Sequence, residues 1–233
     1  MRLHRFFVEE DLGRETVSIF DEKLLHQLRD VFRLGTGDRV IFFNQPTSEA
    51  DGFDYLYEVD FISKKEASFR FISKSKNFIP KQKVTLLMSV IKKENFELVV
   101  EKAVELGVSE IVPIVTERTL VKNLNTERLR KIIVEASEQC GRGDVPMLSE
   151  TIDLETALQN FSDIIAFDIS GGSLEASSSK LSTPSFLIGP EGGWSESELA
   201  LIREKNILIA KLGDTTLRAE TAAIVACAKV LLI

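Results

Sequence analysis

Phe186-Leu187-Ile188-Gly189-Pro190-Glu191-Gly192-Gly193-Trp194-Ser195-Glu196-Ser197-Glu198 is the stretch on which the reading of this chain turns. Its first residues are apolar and predict a buried strand. A glycine-rich turn follows, and Ser195 with Glu198 has the S-x-x-E spacing of a capping box, which predicts a helix opening directly after the turn. Glycines at 189, 192 and 193 let backbone approach a ligand closely. A similar turn recurs at 208–221: an apolar run, then Gly213-Asp214-Thr215-Thr216-Leu217-Arg218-Ala219-Glu220-Thr221, then an alanine-rich helix. Two strand–loop–helix turns so close together, late in an α/β domain, read as walls of one small-molecule pocket.

Upstream of this stretch the rhythm is alternating strands and helices, beginning at Val84. Strands are expected at 84–90, 110–115, 163–167, 184–188 and 208–212. Helices are expected at 94–106, where apolar residues recur at 96, 99, 100, 103 and 106 and Gly107 ends the run, and at 126–140, 196–205 and 220–232. The 126–140 helix places Leu129, Ile132, Ile133, Ala136 and Cys140 on one face. This pattern predicts a parallel sheet covered by helices. A short polar loop is read around 177–179.

The first part of the chain differs. Eleven of the 15 phenylalanines lie in residues 1–83, in short β-type runs at 39–43, 55–62 and 67–72 divided by turn residues. Only 22–30 looks helical. A small β-barrel is the expected class for residues 1–73. Residues 74–83 are polar and basic with one proline, and read as a linker to an α/β domain at 84–233.

The 233 residues can bury one large core or two modest ones, and 44% hydrophobic residues is ordinary for a globular protein. No apolar run reaches bilayer-spanning length, and the opening residues lack a secretory signal pattern. Cys140 and Cys227 are too few for a disulfide framework or thiolate metal site, and are expected as buried free thiols in a reducing cytoplasm. The net charge of −7 lies wholly in the second part: residues 1–83 hold 14 basic and 14 acidic residues. Charge therefore neither demands nor excludes a nucleic-acid partner.

The 189–193 loop fits neither the P-loop nor the dinucleotide fingerprint, and Glu191 would repel phosphate, so a cationic or polar ligand suits it better. At 215–221 a capped helix, with Thr216 as cap and Glu220 at the positive helix end, explains those two residues but not Arg218. A cation at a helix start opposes the dipole and calls for a substrate or a carboxylate partner. Lys92-Lys93 follows a strand end, where α/β folds place ligands, with a solvated pair as the plain alternative. Glu138 and Arg142 have the i,i+4 spacing of a surface ion pair. His4 and His26 give no metal or triad signature, and metal chemistry is not expected.

These motifs in order resemble the family of type E small-subunit ribosomal RNA (uracil-N3)-methyltransferases, of the SPOUT superfamily. The likeness runs from Met1-Arg2-Leu3-His4-Arg5-Phe6-Phe7-Val8 through residues 26–38, 101–108, Thr116-Glu117-Arg118-Thr119 and 135–142 to residues 188–195 and 217–222. It implies an N-terminal PUA-like β-barrel that binds RNA and a C-terminal α/β-knot domain, a trefoil-knotted parallel sheet. It further implies a homodimer, S-adenosylmethionine as cofactor, and methylation of N3 of a uridine in 16S rRNA of the assembled small ribosomal subunit. The loops at 166–170, 188–194 and 212–218 would hold the cofactor, through Phe167, Asp168, Ile188, Gly189, Pro190, Glu191, Gly192, Gly193, Leu212, Gly213, Thr216 and Leu217. Arg218 and Glu220 are the candidate catalytic residues. Arg5, Arg29, Arg33, Lys92, Lys93 and Arg142 are the candidate RNA contacts. One departure stands out: Asp214-Thr215-Thr216 occupies the place where the family usually carries an arginine-isoleucine pair. The competing readings are a non-catalytic RNA-binding protein with a dimerising α/β domain, and a nucleotide-dependent Rossmann-type enzyme, which the missing phosphate fingerprint disfavours.

Overall fold

Strand-length apolar runs separated by helices fold most readily into a parallel sheet, because each helix carries the chain back across it. The computed structural model describes residues 3–46, 52–120, 123–174 and 183–232; the polar loop at 177–179 lies outside them. The chain divides into two units, Met1–Ile79 with Ser137–Val145, and Pro80–Ala136 with Pro146–Ile233.

The first unit is a five-stranded sheet of β1 (Arg5–Phe7), β2 (Thr16–Ile19), β3 (Arg39–Phe43), β4 (Gly52–Ile62) and β5 (Ala67–Asn77), in the order β1-β3-β4-β5-β2. β1 pairs with β3 in parallel and the remaining pairs are antiparallel. The phenylalanine-rich runs supply its core: Phe42 meets Phe69 edge-on at 4.8 Å, beside fully buried Tyr57. The Tyr57 hydroxyl escapes the cost of burial by accepting from the Gly13 N–H at 2.9 Å. The expected helix at 22–30 is in fact two pieces. Asp21 caps α1 (Glu22–His26), and a π-helical turn over Gln27–Val31 continues it, burying Leu25 and Leu28.

Two expectations change here. Strand β5 runs through 74–77, the first residues of the expected linker, because their backbone pairs with Gly52 to Tyr55 of β4. Residues 137–145, distant in sequence, also belong to this unit: the Gly143 N–H donates to Phe78 O at 2.6 Å, and Val145 and Gln45 exchange two hydrogen bonds.

The second unit is a seven-stranded parallel sheet: β6 (Thr85–Ser89), β7 (Glu110–Val115), β8 (Met147–Leu148), β9 (Ile152–Asp153), β10 (Ile164–Ser173), β11 (Ser185–Ile188) and β12 (Leu208–Lys211). The order is β12-β10-β11-β6-β7-β8, with β9 pairing further along β7. Helices α2 (Lys93–Leu106), α4 (Leu154–Asn160), α5 (Glu196–Glu204) and α6 (Ala219–Leu231) accompany it, with α3 (Thr126–Cys140) up to Ala136. Leu87, Val112, Ala166 and Leu187 from four adjacent strands share one apolar cluster with Leu154 and Ile202. Helix α4 adds to the expected helices: Asp153 caps it, accepting from Thr156 N at 2.7 Å, and Leu154, Ala157 and Leu158 are buried on one face. Cys227 is buried, and burial pushes its thiol up to about 12, whereas Cys140 is exposed rather than buried as expected. It stands where α3 ends, so the apolar stripe of that helix stops short of it.

One irregularity positions the site. Phe167 and Gly172 of β10 both pair with Ala210 of β12, so 168–171 leave the ladder as a bulge at the strand's C-terminal end.

Candidate active site

The C-terminal ends of β10, β11 and β12 converge on one cavity of about 160 Å³. A single water needs only about 10–15 Å³, so this space has room for a larger ligand. The β10 bulge contributes Phe167, Asp168 and Ile169. The loop after β11 contributes Ile188 to Glu191, Gly193 and Trp194, and the loop after β12 contributes Leu212, Gly213 and Thr215 to Leu217. Ala219 and Ala222, one turn apart on α6, complete the wall.

Local chemistry explains the loop after β11. The N–H of Gly193 donates to Pro190 O at 2.9 Å, closing the turn, and Gly193 takes φ 67°. Ser195 and Glu198 form the capping box expected of them: the Ser195 hydroxyl accepts from Glu198 N at 3.1 Å and Glu198 Oε2 accepts from Ser195 N at 2.9 Å. Trp194 is 5% exposed and its indole N–H donates to Phe167 O at 3.2 Å, tying this loop to β10. A Cβ added at Gly189 would stand 3.0 Å from the Trp194 ring, so the ring requires glycine there.

Eleven of the twelve residues expected to hold the cofactor line this cavity. Gly192 does not. Its carbonyl accepts from Arg118 Nη1 at 2.7 Å, and an added Cβ would meet the Arg118 side chain at 3.3 Å. Gly192 therefore faces a neighbouring turn. Ile169, Trp194 and Thr215 fall within the expected loops without being singled out there, and Ala219 and Ala222 lie outside them. Trp194 adjoins the glycine turn in the quoted stretch, and the alanines have the i,i+3 spacing of one helix face. Thr216 is not the cap of α6. Arg218 holds that position in extended geometry with no side-chain cap bond, because Ala219 already begins the helix. Its guanidinium is exposed and makes no hydrogen bond or ion pair among the described residues, while its neighbours Leu217 and Ala219 both line the cavity. Glu220, in the first turn, keeps one carboxylate oxygen buried with no hydrogen-bond partner among the described residues. Asp214, within the departing tripeptide, pairs with Lys211 at 2.7 Å, which holds its carboxyl below the ordinary carboxylate value.

Among the expected RNA contacts, Lys92, Lys93 and Arg33 are exposed. Arg29 is half-buried and pairs with Asp30. Arg5 and Arg142 must be corrected. The Arg5 side chain is 9% exposed, pairs with Asp54 at 2.8 Å, and donates to the carbonyls of Ser137 and Arg142 at 3.1 and 2.9 Å. Arg142 is 3% exposed and pairs with Asp144 at 2.9 Å. Both cations are spent inside the first unit, where burial demands such partners. Arg5→Ala should therefore destabilise the protein by about 3 kcal/mol, since Asp54 loses its cation. Its RNA-binding salt slope should match wild type. Chemical denaturation and a salt titration check both.

A parallel sheet with a glycine-turned cavity at its strand ends is the α/β frame of a small-molecule-binding domain. Residues 79–231 match the model of the RNA methyltransferase domain. The chain belongs to the ribosomal RNA small subunit methyltransferase E family. It is 30% identical over 241 residues to the Rickettsia conorii member, covering 100% of this chain and 97% of that protein. The Bacillus subtilis member is also 30% identical, with 94% and 93% covered. The crystal structure of ribosomal RNA small subunit methyltransferase E from Neisseria gonorrhoeae, bound to S-adenosyl methionine, superposes with a TM-score of 0.88 at 25% identity, covering 98% and 96% of the two chains. A Legionella pneumophila putative methyltransferase in complex with the same cofactor gives 0.88 at 26% identity, covering 99% and 97%.

Proposed function

We propose that this protein binds S-adenosylmethionine in the cavity at the ends of β10, β11 and β12 and methylates N3 of a uridine in 16S rRNA of the assembled small subunit, in the cytoplasm. The observation that carries the reading is the cavity itself: three loops, three strand ends and one unpaired arginine at its rim. Its chemistry fits the cofactor. Apolar walls at Ile188, Leu212 and Leu217 suit an adenine ring, exposed backbone at Gly189 and Gly213 suits polar ligand edges, and the Asp168 and Glu191 carboxylates suit a ligand with cationic groups. Among the described residues no cluster of metal-binding side chains occurs, and no helix is long and apolar enough to cross a membrane.

When bound, the cofactor supplies a methyl group already activated on a sulfonium. The protein's task is then positioning and charge. The target base leaves its stack to reach the cavity mouth. Loss of the N3 proton, from a nitrogen between two carbonyls, puts negative charge on their oxygens until the methyl group is transferred to N3 and neutralises it. Arg218, exposed and unpaired, stabilises that charge. Glu220 takes the proton, or turns to orient Arg218, with which it makes no bond in the structure. Lys92, Lys93, Arg29 and Arg33 meet RNA phosphates, a salt-dependent contribution.

The same reading makes the first unit a PUA-like RNA-binding barrel and the second a trefoil-knotted SPOUT domain that acts as a homodimer. Helix α6 supports the dimer: Ile224, Val225, Val230 and Leu231 are only half-buried and Leu232 is 67% exposed. Trp194, the single tryptophan, gives the direct test. Because it lines the cavity, S-adenosylmethionine should change its fluorescence saturably, and NAD or ATP should not. A flat titration with S-adenosylmethionine would remove the cofactor from this cavity. Mapping of modified rRNA from a strain lacking the protein then identifies the nucleotide.

A further inference from the structure

The turn Thr116-Glu117-Arg118-Thr119 after β7 does not line the cavity, yet it is joined to the loop that does. Thr116 and Thr119 are both 7% exposed and their hydroxyls share a hydrogen bond at 2.8 Å. The Thr119 N–H donates to Thr116 O at 3.1 Å, and the Thr116 N–H to Thr119 Oγ1 at 3.0 Å. So closed, the turn projects two donors and one acceptor towards residues 192–198. Arg118 Nη1 donates to Gly192 O at 2.7 Å. The Glu117 N–H donates to Glu198 Oε1 at 2.9 Å. The Ser197 hydroxyl donates to Glu117 Oε1 at 2.7 Å. On the other side the Lys92 N–H donates to Glu191 Oε1 at 3.1 Å. Residues 191 and 192 are thus held from two directions, between cavity-lining Gly189 and Gly193.

Glu198 is the pivot. It is 5% exposed, and its two oxygens serve different masters: one closes the capping box of α5, the other accepts from the turn after β7. A buried carboxylate is tolerable only with such donors, and each donor is a backbone N–H whose position it then fixes. Packing reinforces the bond at Gly192, since an added Cβ there would meet Arg118 Cδ at 3.3 Å and Cβ at 3.4 Å.

We infer that this turn is a mould for the cofactor loop: Arg118 and Glu198 are positioning residues that set affinity for S-adenosylmethionine rather than the rate of methyl transfer. The inference rests on the function proposed above. The hydrogen bond from a charged donor to Gly192 O keeps the loop in its binding shape before the ligand arrives, so losing it makes binding pay for ordering the loop.

The test uses the full-length protein and three measurements. Calorimetry with S-adenosylmethionine gives affinity, hydrogen exchange without cofactor gives loop order, and single-turnover methylation at saturating cofactor gives rate. Arg118→Met keeps the side-chain stem and removes the donor. It should weaken cofactor binding about tenfold or more and speed exchange of the amides at 192–195. The saturated rate should stay within about twofold. Arg118→Lys should recover part of the affinity, because one donor suffices for one carbonyl. Gly192→Ala should weaken binding in the wild-type background and have little effect beside Arg118→Ala, a non-additivity that reports direct contact. Unchanged affinity and exchange in Arg118→Met would overturn the inference. So would a lost saturated rate at unchanged affinity, which would place Arg118 on the RNA. Wild-type protein that binds no S-adenosylmethionine sinks the proposed function instead, and is read before any variant.

Discussion

Gly171→Ala is expected to cost about 2–3 kcal/mol of stability and to weaken S-adenosylmethionine binding by about 10²-fold, while Gly172→Ala is nearly silent. The contrast comes from one strand irregularity. Residues 168–171 leave the β10–β12 ladder between two residues that share Ala210 as partner. The bulge carries Asp168 and Ile169 into the cavity wall and brings the chain back at Gly171, directly against β12. A Cβ on Gly171 would lie 2.7 Å from the backbone atoms of Ala210 and Ile209. No rotamer relieves a clash with backbone, so β10 and β12 must separate. Their ends carry two of the three cavity walls, and separation reaches the ligand as well as the fold. A Cβ on Gly172 meets nothing within 4 Å. Chemical denaturation and calorimetry on the two variants are the measurement. Equal behaviour of the pair would mean that the bulge does not shape the cavity.

Gly171 shows what a sequence conceals. The dipeptide Gly171-Gly172 carries no local signal that one glycine is indispensable and the other free. The difference lies in a strand nearly forty residues away. Features with a local cause were legible. The capping box at Ser195 and Glu198, the glycine end of α2, and the helical period of α3 are written in adjacent residues, and the strand ends that build the cavity follow from alternation of apolar runs. Features decided by distant partners were not. Arg5 and Arg142 look like phosphate ligands until Asp54, Asp144 and the carbonyls that bury them are seen. The basic run at 74–77 looks like a linker until β4 is found pairing with it. Gly192 shares the composition of its neighbours, yet the chain turns its carbonyl towards Arg118. The motif containing Arg118 was visible, but its use required knowing that β7 ends beside the loop after β11.

Arg218→Ala is expected to leave the fold and most of the cofactor affinity intact and to slow methyl transfer by roughly 10²-fold or more. The structure supplies the reason in what Arg218 lacks. As the N-cap of α6 it opposes the positive end of the helix, contributes no capping bond, and has no ion-pair partner among the described residues. Such a side chain costs the folded protein a little, so its removal should not lower stability. Its neighbours Leu217 and Ala219 both line the cavity, and the proposed role has the guanidinium swing to meet a target base at the mouth. On the proposed reading, the charge that develops on the uracil oxygens as N3 gives up its proton is then met by this cation. Lysine should rescue only part of the rate, because it lacks the planar fork that can face two acceptors at once. Glu220→Gln separates the remaining roles: if Glu220 only orients Arg218, the variant keeps an acceptor and much of the rate, and if it takes the proton the rate falls with that of Arg218→Ala. The measurement is single-turnover methylation of assembled small subunits at saturating cofactor, with the thermal midpoint and cofactor Kd determined alongside. A near-normal rate for Arg218→Ala would remove the arginine from the chemistry and leave positioning, with or without Glu220, as the whole source of catalysis.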